Sequence, residues 1–236
     1  TAQVSKTVKN YLEGLVKHLD VQSALPLVLA GYVCLSPTDF EKLLKRIISI
    51  YIRHTLIANQ NPTDLETAFY EAARAIRSSR TSGKSSKQAL KSAKPLLDKL
   101  NPIDSLVQQK TEDLVLTQSE AGWIMREIAN SKQSATKEIG MDQANVEHVF
   151  PRNAGAEWPT RTVLEPYIWN IGNLTVLGRK INNKAANKAY ADKYKDQYSI
   201  SEIKITKELP NTKVWDVAAI QKRAAEYGKL IVTIWS

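Results

Sequence analysis

The chain has 236 residues, and its 33 Lys and Arg against 24 Asp and Glu give a formal net charge of +9. At 43% hydrophobic and 24% charged residues it has the composition of an ordinary globular protein, long enough for one large domain or two small ones with a real core. No apolar run approaches the ~20 residues of a membrane span, the start has no signal-peptide pattern, and a single cysteine, Cys34, excludes an internal disulfide or a cysteine-based zinc site. The one cysteine fits a reducing, cytoplasmic compartment, and the basic balance favours a polyanionic partner.

Residues 3–18 carry Val4, Val8, Leu12 and Val16 on one face and predict a first helix. A second, more buried helix is expected over 21–34. Ser36-Pro37-Thr38-Asp39 opens a third, in which Phe40, Leu43, Leu44, Ile47 and Tyr51 keep helical spacing to about residue 58. His54 lies in it with no second ligand at a matching spacing and reads as structural. Asn61-Pro62 opens another helix, with Thr63 and Glu66 spaced as a capping box, ending near residue 79.

From Ala72 to Leu97 there is no acidic residue, while Arg74, Arg77, Arg80, Lys84, Lys87, Lys91 and Lys94 recur every three or four positions. Ser82-Gly83 interrupts the pattern, so two helices joined by an exposed loop are expected. Their basic stripe is either a solvated face or a surface that tracks phosphates without reading sequence. Asn101-Pro102 starts a further helix and Thr117 to Ser131 another. Residues 132–144 are polar and read as a loop, which sets the expected boundary between a helical subdomain, 1–131, and a second part, 132–236.

The second part opens with Val146-Glu147-His148-Val149-Phe150-Pro151, a short apolar run stopped by proline and read as a strand ending in a loop. About 25 residues on, Asn173 leads a second short strand, and a helical stretch with Asn182, Asn183 and Asn187 follows. A histidine near its ordinary pKa can take a proton from water. A carboxylate and an amide oxygen suit Mg²⁺ or Mn²⁺. With Arg152, Arg179, Lys180, Lys184 and Lys188 close by in sequence, these residues suggest metal-assisted hydrolysis of a phosphodiester. Trp158 and Trp169 flank the insert between the two halves and read as core residues rather than base-stacking platforms. Tyr190, Tyr194 and Tyr198 form an aromatic helix face, and residues 215–235 a closing helix.

The Glu-His-Val-x-Pro run, the Gly-Asn-Leu-Thr segment and Asn-Asn-Lys-Ala-Ala-Asn-Lys resemble HNH (His-Me finger, ββα-metal) nucleases. They are most similar to the C-terminal domain of GmrSD-type, modification-dependent restriction enzymes, a group that includes the phosphorothioate-sensing SspE proteins. The resemblance implies a mainly α fold: a helical N-terminal subdomain, a small ββα-metal core and a closing C-terminal helix. It gives His148 the role of general base and Glu147 and Asn182 the roles of metal ligands. Asn173 becomes the residue that orients the histidine through backbone or side chain, and Asn183 and Asn187 possible site support. The expected cofactor is one Mg²⁺ or Mn²⁺ ion and the expected partner DNA, contacted by Arg152, Arg179, Lys180, Lys184 and Lys188 and by Arg77, Arg80, Lys84, Lys87 and Lys91. One site cuts one strand, so a nickase serving antiviral defence is expected. An NTPase-like regulatory module is also expected; with no Gly-x-x-x-x-Gly-Lys-Ser/Thr motif and nine glycines in all, it would lie outside this chain. The alternative is a nucleic-acid-binding module on an inactive scaffold of the same kind.

Overall fold

The computed structural model describes residues 5–133, 145–185 and 187–236. Most of the loop expected at 132–144 therefore lies outside the described residues. The fold is mainly α, with one two-stranded sheet among those residues. Contacts divide the chain into two compact units, Thr1–Val107 with Trp235–Ser236, and Gln108–Ile234. The sequence puts a boundary at 131/132; the compact units divide between Val107 and Gln108. The helix Gln118–Lys132, expected in the first part, belongs to the second unit because its inward face, Trp123, Ile124, Met125 and Ile128, is buried beside the sheet.

The first unit contains α1 (Lys6–Glu13), α2 (Leu25–Cys34), α3 (Pro37–Tyr51), α4 (Pro62–Thr81) and α5 (Ser86–Asp98). Its core is apolar: Leu27, Phe40, Leu44, Ile47, Phe69 and Ile76 are almost fully buried. Ser36 caps α3 by accepting from Asp39 N, with Pro37 in the first turn, as its sequence predicts. The capping box expected at Thr63 and Glu66 does not form. Asn61 is the N-cap instead and accepts from Thr63 N at 3.1 Å, because Pro62 at the first helical position moves the helix start two residues upstream. Capping boxes form at Ser85–Gln88 and Thr117–Glu120. Gly83, at φ +77°, makes the turn between α4 and α5, a left-handed conformation that favours glycine. Arg53, buried in the π-helical turn Ile52–Ile57, donates to Asn101 Oδ1, Pro102 O and Asp104 Oδ1 at 2.6–2.7 Å and ties down the segment after α5.

After α6 (Asp104–Thr111), the second unit is built on α7 (Gln118–Lys132), β1 (Asn145–His148), the short helix α8 (Arg161–Leu164), β2 (Leu174–Leu177) and α12 (Val217–Ile234). Around the sheet lie α9 (Arg179–Ala185), α10 (Tyr190–Lys193) with its π-helical continuation to Tyr198, and α11 (Lys204–Lys207). β1 and β2 pair antiparallel, with Asn145 opposite Leu177 and His148 opposite Leu174. All four β2 residues are buried, so this is a covered strand rather than a half-solvated one. α12 packs directly on the turn Ile171–Asn173: a Cβ on Gly172 would sit 2.0 Å from Ile220 O. Arg223 of α12 bonds Gly172 O, Leu174 O and Ile205 O at 2.7–3.2 Å and lies 4.8 Å over the Tyr227 ring. This one buried side chain joins the closing helix to both ends of the approach to β2. No helix among the described residues is long and apolar enough to cross a membrane.

Candidate active site

His148 ends β1, and three separate contacts fix the turn that follows it. Val149 N donates to Asn173 O at 2.9 Å. The Asn173 side chain accepts from Phe150 N at 2.8 Å and donates to Phe150 O at 3.0 Å. Lys193 Nζ donates to His148 O and Val149 O at 3.0 and 3.2 Å. Pro151 cannot extend the strand, so its terminus is set by sequence and its direction by these bonds.

Asn173 is fully buried and uses its whole hydrogen-bonding capacity. Besides Phe150, its Nδ2 donates to Ile168 O at 3.0 Å and its Oδ1 accepts from Trp215 Nε1 at 3.0 Å. Its bonds reach the backbone of the two residues that follow His148.

Glu147 points to the other side of the strand from His148, as the period of two requires. There its Oε1 accepts from Lys193 Nζ at 2.7 Å and Tyr198 Oη at 2.9 Å, all three side chains being buried. Lys193 thus spends its three N–H donors on Glu147, His148 O and Val149 O. Burial pushes the Glu147 carboxyl up and the Lys193 ammonium down, and each partner's charge opposes that. Burial and the neighbouring carboxylate push the Tyr198 hydroxyl well up, so it remains a donor.

His148 is half-buried, and its pKa is lowered to about 4 by burial first, then by the charges of Arg152 and Lys193. Its imidazole is neutral at pH 7, the form that can accept a proton. The Trp169 indole lies against it, ring centroids 4.4 Å apart and planes at 85°, and the Arg152 guanidinium is 5.9 Å over the same indole. Next to this group is a cavity of about 310 Å³ lined by Phe150, Arg152, Asn153, Ala154, Arg161 and Glu165.

Asn182, half-buried on α9, donates from Nδ2 to Val146 O at 3.3 Å, which brings it to the strand that carries His148. Asn183 is exposed, one position round the helix. Asn187 lends its backbone O to Trp158 Nε1 at 3.3 Å, while Trp158 packs edge-on against Phe150 in the core. Arg179, Lys180 and Lys184 are exposed along α9, and Lys188 pairs with Asp196 at 3.3 Å. Arg77, Arg80, Lys84, Lys87 and Lys91 are exposed in the first unit, at the α4–α5 turn and along α5, with Arg80 bonded to Lys84 O. Asn173 is bonded to the two residues after His148, Asn182 to the strand that ends in it, and Arg152 lies over the indole that meets it; Glu147 is adjacent in sequence but turned into an ion pair.

Toward a divalent ion the two expected ligands differ: Asn182 offers an amide oxygen, while Glu147 is engaged in a buried ion pair. With Nδ2 on Val146 O, the Asn182 amide oxygen is left without a partner among the described residues. Glu147 carries both Lys193 and Tyr198 on its Oε1 and lies in that buried ion pair. Among the described residues no three His, Cys, Asp or Glu side chains come together as a ligand cluster.

The sequence reading gave Lys193 no part in the site and took Trp169 for a core residue. The signal for Lys193 was an acid inside an apolar strand, which needs a buried partner, together with the aromatic helix face containing this lysine. Trp169 carries no such signal, because the residue it meets is 21 positions away across a turn of irregular chain.

Two short antiparallel strands followed by a helix, with the histidine at the first strand's end, Asn173 just before the second strand and Asn182 on the helix, make a small ββα-like core in a mainly helical protein. The profile of the family described as GmrSD restriction endonucleases, C-terminal domain, matches residues 101–230, more than half of the chain. The chain belongs to that family, which places it among the nucleases. A comparison with curated proteins gives no match.

Proposed function

We propose that this protein is an HNH-type DNA endonuclease in which His148 is the general base. What carries the reading is the placement of His148 at the end of β1, where its neighbours' backbone is held by Asn173 and Lys193 and where burial and two cations lower its pKa. His148 takes a proton from water as the oxygen attacks phosphorus, the P–O3′ bond breaks, and the departing 3′ oxygen takes a proton from solvent, leaving a 5′-phosphate and a 3′-hydroxyl. Arg152, exposed beside the imidazole, is placed to take a non-bridging phosphate oxygen. Asn173 and Lys193 hold the turn and touch no substrate.

A divalent cation belongs to this proposal. Mg²⁺ or Mn²⁺ would be held by the Asn182 amide oxygen together with phosphate and water oxygens, the way Mg²⁺ is bound where substrate completes its shell. It would supply charge neutralisation at the scissile phosphate. Glu147 takes its part as the partner of Lys193 rather than as a ligand. The exposed cations of α9 and of α4–α5 fit phosphate contacts that give affinity without sequence readout.

One site cuts one strand, so the proposed product is a nick. Single-turnover cleavage of a duplex labelled on either strand tests this; a nicked intermediate that accumulates before any double-strand break is expected, and simultaneous loss of both strands contradicts it. A cytoplasmic setting, a role in antiviral defence and control by an NTPase-like module form the outer part of the proposal. The second reading, an inactive binding module, is favoured by one observation, the Glu147–Lys193 pair that withholds an expected ligand. Metal-dependent, His148-dependent cleavage eliminates it.

A further inference from the structure

We propose that Trp169 is a positioning residue for His148: the indole face receives the buried Nε2–H of the imidazole and so selects the tautomer whose bare nitrogen is Nδ1. The inference rests on the reading of His148 as the base.

His148 Nε2 is sealed from solvent and has no hydrogen-bond partner among the described residues. A buried ring nitrogen without a partner is unfavourable, and its two protonation states do not suffer equally beside an aromatic ring. The face of an aromatic ring is electron-rich, so it attracts an N–H and repels a lone pair. The Trp169 ring lies close and perpendicular, at 4.4 Å and 85°, the geometry in which the edge of one ring meets the face of the other. A neutral imidazole carries one N–H only. With that hydrogen on Nε2, the free lone pair is on Nδ1, and His148 as a whole is half-buried, so this nitrogen is the one left to meet water. The cations beside His148 reinforce the arrangement by keeping the ring neutral. Arg152, 5.9 Å over the same indole, holds Trp169 from a second direction and links its position to the group that meets phosphate. In many proteins a carbonyl or carboxylate fixes the histidine tautomer; here the Asn173 side chain is fully committed elsewhere, and the indole takes that role.

The test is long-range proton–nitrogen NMR on the full chain labelled with ¹⁵N, with His148 assigned by its loss in His148→Ala. Wild type is expected to show a protonated Nε2 and a bare Nδ1, with the ring protons next to Nε2 shifted upfield by the indole current. A protonated Nδ1, or no ring-current shift, overturns the proposal in wild type alone, whatever the variants do. Trp169→Phe, which keeps an aromatic face, should retain the tautomer and most of the cleavage rate. Trp169→Leu should show mixed tautomers and lose roughly tenfold in kcat with DNA affinity unchanged. A folded Trp169→Leu with the wild-type tautomer and kcat overturns it. If His148→Ala still cuts DNA, the nuclease assignment of His148 fails, while the NMR result on Trp169 stands or falls separately.

Discussion

Asn173 holds Phe150 by both ends of its backbone, Oδ1 accepting from the amide at 2.8 Å and Nδ2 donating to the carbonyl at 3.0 Å. A side chain here does what a neighbouring strand would do, at the point where β1 has run out of partner. The turn after His148 is thereby held at both the amide and the carbonyl of Phe150.

Replacing Asn173 by Asp should therefore damage fold and activity together. The carboxylate could still accept from Phe150 N and Trp215 Nε1, but its second oxygen would face the carbonyls of Phe150 and Ile168 where two donors now stand. An unpaired buried charge of this kind costs about 3–5 kcal/mol. Thermal unfolding checks it, and an Asn173→Asp protein of wild-type stability would show that the four bonds contribute little.

The Glu147–Lys193 pair gives a second, separable prediction. Lys193→Met leaves the carboxylate buried without its cation and frees two carbonyls, and should destabilise by about 3–5 kcal/mol. Glu147→Gln keeps the shape and one acceptor, so it should lower Tm less. Its apparent affinity for Mg²⁺ should stay within about twofold of wild type, whereas a true hard-ligand loss costs tenfold or more. Titrating Mg²⁺ in a cleavage assay decides whether Glu147 is structural or a ligand.

Much of this unit was legible in the sequence, and the part that was not has a physical reason. The run from Val146 to Pro151 specifies a strand and its stop, and Gly172-Asn173 is followed by the buried strand Leu174–Leu177 as the apolar pattern requires. Asn182 is brought to β1 and Asn183 is not, a distinction the spacing left within one residue. The resemblance made Glu147 a ligand; in the structure its side chain is on the opposite face of β1 from His148 and pairs with Lys193. What lies on the far side of that strand depends on where the chain returns 46 residues later, with Lys193, and no local pattern encodes that. The capping box at Thr63 failed for a different reason: two start signals overlapped, and the proline one position after Asn61 decided between them.

The pH dependence follows from His148. Its folded pKa, about 4, lies below the ordinary 6.5, so between these values the unfolded chain binds a proton that the folded chain refuses. Its contribution to stability is therefore complete above pH 6.5 and is lost as pH falls toward 4. For activity, kcat/KM reports the free enzyme, and its acid limb should fall near pH 4 rather than 6.5. An ordinary imidazole would instead lose roughly tenfold per pH unit below 6.5. Profiles from pH 4 to 8 separate the two.

The register on α9 is tested by paired substitution. Asn182→Ala should behave as partial metal removal, raising the Mg²⁺ requirement at least tenfold, because the amide oxygen is the protein donor that remains. Asn183→Ala, on the exposed side, should stay within about twofold. The reverse order would move the site by one residue.

The most direct measurement is the conversion of supercoiled plasmid by wild type and His148→Ala, with Mg²⁺ or Mn²⁺ and with EDTA, alongside DNA affinity by gel shift. The account predicts open-circle product from wild type with metal, none with EDTA, and none from His148→Ala although it still binds DNA. Equal cleavage by His148→Ala would remove the histidine from the chemistry and the central claim with it.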